Sequence, residues 1–105
     1  MSKSVTTTNP LPPIHPGEVL GEEFLAELNL SATAFAKHLG VPPNRITRVI
    51  AGQSAITADT AFLLSAALGT TPDFWLNLQS RFDLETARMD QALGERVTGI
   101  NRLVA

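Results

Sequence analysis

Along most of this chain apolar residues recur three and four positions apart, the spacing that lines one face of an α-helix. The pattern begins at Pro16, whose fixed φ suits a first helical turn. It runs through Leu20, Phe24, Leu25 and Leu28, with Glu18, Glu22, Glu23 and Glu27 largely off that face. Ser31 is placed to cap a short second helix in which Phe35, Ala36 and Leu39 face inward, and Gly40 permits the left-handed turn that stops it. The pair Pro42-Pro43 fits only at a helix start, so a third helix is expected over 43–51, ended by Gly52. Thr57, with Asp59 in the first turn, opens a fourth helix whose Ala61, Leu64, Ser65 and Leu68 face inward until Gly69. Thr71-Pro72-Asp73 repeats that start, and Phe74, Trp75, Leu78 and Phe82 follow as dimer or core packing on a fifth helix.

Either side of this body the pattern changes. Met1 to Pro13 is rich in Ser, Thr and Pro with few residues to bury, and reads as a flexible N-terminal arm. Beyond residue 83, Met89, Leu93, Val97, Ile100 and Val104 form another stripe, weakened by Gly94 and Gly99. This is expected to be a C-terminal helical extension over 84–105 that either orders on a partner or frays. No strand-like alternation and no long internal repeat interrupts the helical spacing. The expected class is therefore all-α: a five-helix domain over 14–83 between an arm and an extension.

Composition narrows the function. At 105 residues the chain has room for one domain, and 44% hydrophobic with 17% charged residues is too apolar for a disordered chain. The most apolar uncharged run, Thr60 to Pro72, is too short to cross a bilayer, so no membrane partner is expected. With no cysteine there is no disulfide, thiolate nucleophile or cysteine-bound zinc; with no signal peptide in the opening residues, a reducing cytoplasm is the expected compartment. The net charge of −2 hides a segregation: between Leu28 and Ala58 there is no acid, while Lys37, Arg45 and Arg48 are positive.

That basic third contains the sharpest feature of the sequence. At about 100° per residue, the third helix carries Ile46, Val49 and Ile50 on one side and Asn44, Thr47, Arg48 and Ala51 on the other. Asn44 and Arg48, one turn apart, can contact adenine and guanine edges bidentately, and Thr47 can meet a base edge or a thymine methyl. Preceded by a capped short helix and a glycine turn, this is the layout of a helix-turn-helix reading double-stranded DNA. Thr33 and Lys37 on the second helix, Pro43 and Arg45 beside the reading face, and Gln53 and Ser54 in the following loop are candidates for the DNA backbone. Arg45, at the edge between faces, is equally well explained as solvated.

The chain resembles the HigA-type helix-turn-helix antitoxins, also called virulence-associated protein I, in the wider Xre and Cro repressor superfamily with its lambda-repressor-like fold. The likeness is carried by His15-Pro16-Gly17-Glu18, by Ala36 with Leu39-Gly40-Val41, by Ile56-Thr57-Ala58-Asp59-Thr60-Ala61, and by Gly69-Thr70-Thr71-Pro72 with Phe74-Trp75-Leu76-Asn77-Leu78-Gln79. It implies a homodimeric repressor of its own operon that also neutralises a RelE-like, mRNA-cleaving toxin. Where many relatives in the superfamily carry Gln, Ser and Asn, this chain has Ala32, Pro42 and Ala51, and Gln53 and Ser54 replace basic loop residues. Each such loss removes on the order of 1 kcal/mol of contact, so two copies on a near-palindrome are expected to be needed.

Other chemistries find little support. His15 and His38 fall on different elements without metal-ligand spacing, so no metal or cofactor is expected; His15 reads as a helix-start residue and His38 as solvated or phosphate-facing. Asp59 is explained by the helix dipole, and Trp75 by packing rather than base stacking. There is no nucleophile-base pair and no phosphate-binding glycine loop, and the chain is not read as an enzyme. Two further readings stay open: a stand-alone repressor without a toxin, and a protein-interaction module that has lost DNA binding.

Overall fold

The computed structural model describes residues 11–105, and no strand occurs among them. The expected N-terminal arm lies, up to residue 10, outside the described residues. Six helices follow one another. Helix α1 (residues 16–28) is a continuous rod with α-helical ends, Pro16–Val19 and Ala26–Leu28, and wider π-helical turns over Leu20–Leu25. Then come α2 (Ala32–Leu39), α3 (Pro43–Ile50), α4 (Ala58–Leu68), α5 (Pro72–Arg88) and α6 (Gln91–Thr98). None is long and apolar enough to cross a membrane.

The helix starts follow local chemistry. Ser31, Thr57, Thr71 and Asp90 each accept a hydrogen bond from the amide three residues on, satisfying a donor that the first helical turn leaves unpaired. At the end of α2, Gly40 takes φ +77°, and the Val41 amide donates back to the Ala36 carbonyl at 3.0 Å. This fixes a tight turn into α3.

The core is built from one stripe of each helix in the body: Leu20 and Leu25 of α1, Phe35 and Ala36 of α2, Ile46 and Val49 of α3, Ala61 and Leu64 of α4, and Trp75 of α5, joined by Ile56 from the preceding loop. Trp75, Phe35, Leu20, Ile46 and Leu64 are its largest fully buried side chains; burying such a side chain contributes roughly 1.5–3 kcal/mol. The Trp75 indole keeps its donor satisfied through Thr70 Oγ1 at 2.7 Å.

Two expected core positions lie elsewhere. Leu28 is 53% exposed: each residue in the π turns advances less around the axis than in an α-helix, so the stripe that starts at Leu20 has rotated off the core by the last turn. Phe74 stands at the rim, where its ring meets Trp75 edge-on at 5.0 Å and Phe24 at 6.3 Å. Leu78 and Phe82 are half-buried on the same helix. Two polar residues are buried instead, Thr60 and Gln79. Helix α5 runs unbroken past residue 84, where the extension was expected to begin, and every residue from 88 onward is exposed.

Candidate nucleic-acid interface

Helices α2 and α3, joined by the Gly40 turn, make the most extensive helix pairing in the molecule. Helix α3 starts without a side-chain cap because Pro42 occupies that place, and Pro43 in the first turn removes one amide that would need a partner. The helix is sharply two-sided. Ile46 and Val49 are 0% and 2% exposed and Ile50 is half-buried, whereas Asn44, Thr47, Arg48 and Ala51 all face solvent. The three residues expected to read bases thus share one open face.

Close backbone approach holds this helix against α1. A Cβ placed on Gly17 would lie 1.8 Å from the Val49 carbonyl oxygen and 2.9 Å from the Ile50 Cα. One turn later a Cβ on Gly21 would meet Ile50 Cγ2 at 3.3 Å. The glycines make a groove into which the last turn of α3 settles.

The candidate backbone contacts fall into three groups. Thr33 and Lys37 are exposed one turn apart on α2. In the loop after α3, Gln53 is exposed and Ser54 half-buried, and both their amides donate to the Arg48 carbonyl, at 2.8 and 3.2 Å. Pro43 and Arg45 are exposed on α3, but Arg45 is not simply solvated: its Nε and Nη2 donate to Thr60 Oγ1 at 3.4 and 3.3 Å. Thr60 Oγ1 also lies 3.3 Å from the Thr57 hydroxyl. The first turn of α4 therefore docks a guanidinium that the sequence left between phosphate and solvent.

Of these candidates, Arg45 and Ser54 line an open concavity of about 460 Å³, together with Asn44, Arg48, Thr57 and Thr60 among others; Thr33, Lys37, Pro43 and Gln53 lie outside it. Among the described residues the one ion pair is Arg81 with Glu85, far along α5, so no carboxylate neutralises Arg45, Arg48 or Lys37. An uncompensated cation beside hydroxyl and amide donors suits an anionic oxygen. Sequence reasoning missed Thr57 and Thr60 as part of this wall; the available signal was their spacing of three at a helix start, which puts both on the same first turn.

Gln79 supports the wall from behind. From α5, its Oε1 accepts from the Ile56 amide at 2.8 Å and its Nε2 donates to Asp83 at 2.9 Å, so the 51–57 loop is tied to the core. His15, as expected, starts α1: its Nδ1 accepts from the Gly17 amide at 2.9 Å.

The geometry has close counterparts. A family model described as helix-turn-helix matches residues 22–75. Virulence-associated protein I of Dichelobacter nodosus is 47% identical over 83 residues, covering 79% of this chain and 77% of that protein. Antitoxin HigA-1 of Vibrio cholerae serotype O1 is 42% identical over 76 residues, covering 72% of this chain and 71% of its own length. The solved structure of antitoxin GraA in complex with its operator superposes with a TM-score of 0.81 at 45% identity, covering 95% of this chain and all of that one. Fold, sequence and the two-sided third helix agree: this chain belongs to the HigA-type family of helix-turn-helix antitoxins, within the Xre group of DNA-binding regulators.

Proposed function

We propose that this chain represses its own operon as a sequence-specific homodimer and neutralises a RelE-like, mRNA-cleaving toxin. The single observation that carries the DNA half is the sidedness of α3, with Ile46 and Val49 sealed in the core and Asn44, Thr47 and Arg48 in solvent. In this reading α3 enters the major groove. Arg48 pairs bidentately with guanine, Asn44 with adenine, and Thr47 touches a neighbouring base edge or thymine methyl. Thr33, Lys37, Pro43, Arg45, Gln53 and Ser54 hold the flanking phosphates and set register without reading sequence. The operator-bound GraA structure supports this docking. The toxin half rests on family membership.

The homodimer is supported by the C-terminal segment. Helix α6 has eight residues, all exposed, and an isolated helix that short is marginal in water. Leu84, Met89, Leu93 and Val97 leave an apolar stripe from the end of α5 along α6. A second copy covering that stripe would supply the two α3 helices that half-sites about one helical turn, roughly 10 base pairs, apart require.

The test is to express the chain from its native operon with its flanking reading frames, purify what remains bound, and footprint the upstream DNA. A small basic ribonuclease in the complex and a protected near-palindrome are expected. Protection without a ribonuclease favours the stand-alone repressor, and a captured ribonuclease without protection at low salt favours the interaction module.

A further inference from the structure

The imidazole that starts α1 also reaches two elements far away in sequence. His15 is half-buried, its Nδ1 accepts from the Gly17 amide, and the Ser54 backbone lies close enough to the ring to favour its protonated form. Because Nδ1 is the acceptor, the proton of the neutral ring sits on Nε2. The ring edge packs against Phe82 of α5 with centroids 4.9 Å apart and an interplanar angle of 73°. Its Cγ lies 3.9 Å from where a Cβ on Gly52 would be. One side chain thus joins the start of α1, the loop that follows α3, and the middle of α5.

We propose that His15 is a positioning residue for DNA binding, holding Gln53 and Ser54 where they can meet phosphate. It touches no DNA itself and acts through the loop, so the inference rests on the reading of Gln53 and Ser54 as backbone contacts. The clamp needs a neutral ring. Protonation puts a second N–H at Nδ1, directly against the Gly17 amide, and a donor facing a donor breaks the cap.

The groups facing the ring divide. Burial is the largest influence and holds the pKa below the usual histidine value, while the Ser54 backbone, Asp83 of α5 and Glu18 of α1 favour the cation. The folded chain therefore binds fewer protons than the unfolded chain just below the ordinary value of about 6.5. The clamp is complete above that pH and is lost as pH falls through the lower, folded value. For DNA binding this sign is distinctive, because gaining positive charge on acidification ordinarily strengthens attraction to phosphate.

The experiment compares the full-length chain with His15→Asn, which keeps a helix-start oxygen but is too short to reach the loop and Phe82, and His15→Phe, which keeps a ring against Phe82 and loses the acceptor for the Gly17 amide. Amide hydrogen exchange is read without DNA, and affinity is read on a duplex from the gene's own upstream region and on a base-substituted duplex. In both variants the Gln53 and Ser54 amides should exchange about tenfold faster while core amides stay protected. Affinity for both duplexes should fall by a similar factor, with the salt dependence unchanged because Gln53 and Ser54 carry no charge. Acidification from about pH 7.5 to about pH 5.5 should weaken the wild-type chain more than either variant, with His38 common to all three. Unchanged loop exchange, or faster exchange with unchanged affinity and pH profile, would overturn the proposal. Failure of the wild-type chain to bind either duplex would remove the DNA reading, and the exchange measured without DNA keeps that failure distinct from failure of the clamp.

Discussion

Gly17 and Gly21 set how closely α3 lies on the body, since any side chain at Gly17 would occupy the Val49 carbonyl. Replacing Gly17 with Ala should cost about 2–4 kcal/mol, because backbone must move against backbone and no rotamer relieves it. Denaturant unfolding checks this, with a lowered midpoint and unchanged slope expected. In the proposed docking, Arg48 reads a base and Lys37 holds a phosphate. Arg48→Ala should cost about 1–3 kcal/mol at one base pair of each half-site and flatten discrimination there, whereas Lys37→Ala should weaken all duplexes alike. Titrations against operator and single-base variants distinguish the two; equal losses on specific and random DNA for Arg48→Ala would contradict its assignment. The polar face of α3 was legible because Ile46, Val49 and Ile50 fix the helix phase, and the phase fixes what remains outside. Arg45 was not legible: its partner, Thr60, lies fifteen positions away on another helix.

At the scale of elements, the caps at Ser31, Thr57 and Thr71 and the glycine ending α2 could be read directly, since each is a local exchange between a side chain or φ and the next turn of backbone. The π turns of α1 could not, and they are why Leu28 leaves the core. Gln79 illustrates the same limit. It lies one turn beyond Trp75, on the inward line of α5, yet its role as acceptor for the Ile56 amide depends on a loop from elsewhere. Replacing Gln79 with Ala should leave that buried amide unpaired and cost about 1–3 kcal/mol. Exchange at Ile56 should accelerate beyond the global change, while α2 and α3 keep their relative protection.

For the whole molecule, the question is what covers the far end. Residues 88–105 are exposed throughout, and Leu93 and Val97 face a shallow apolar hollow against Leu84 and Ala87. Changing Leu93 and Val97 together to Ser should leave the helical fold of the body intact, because both side chains are exposed within the subunit. It should shift the protein to monomer in sedimentation and reduce affinity for a two-half-site operator by roughly a hundredfold, while leaving weak single-half-site binding intact. A variant that remains dimeric would place the subunit contact elsewhere. His15 and Gln79 both tie the loop beside α3 to α5, whose far end carries this apolar stripe, so both faces of the molecule share one helix.

The chain alone specified the helices, the caps at Ser31, Thr57 and Thr71 and the polar face of α3, because these follow from contacts within about one helical turn. The docking of Arg45 on Thr60, the burial of Gln79, the rim position of Phe74 and the contact of His15 with Phe82 were settled by packing between elements. Those depend on which loop lies beside which helix, and no spacing within a segment encodes the distance between segments.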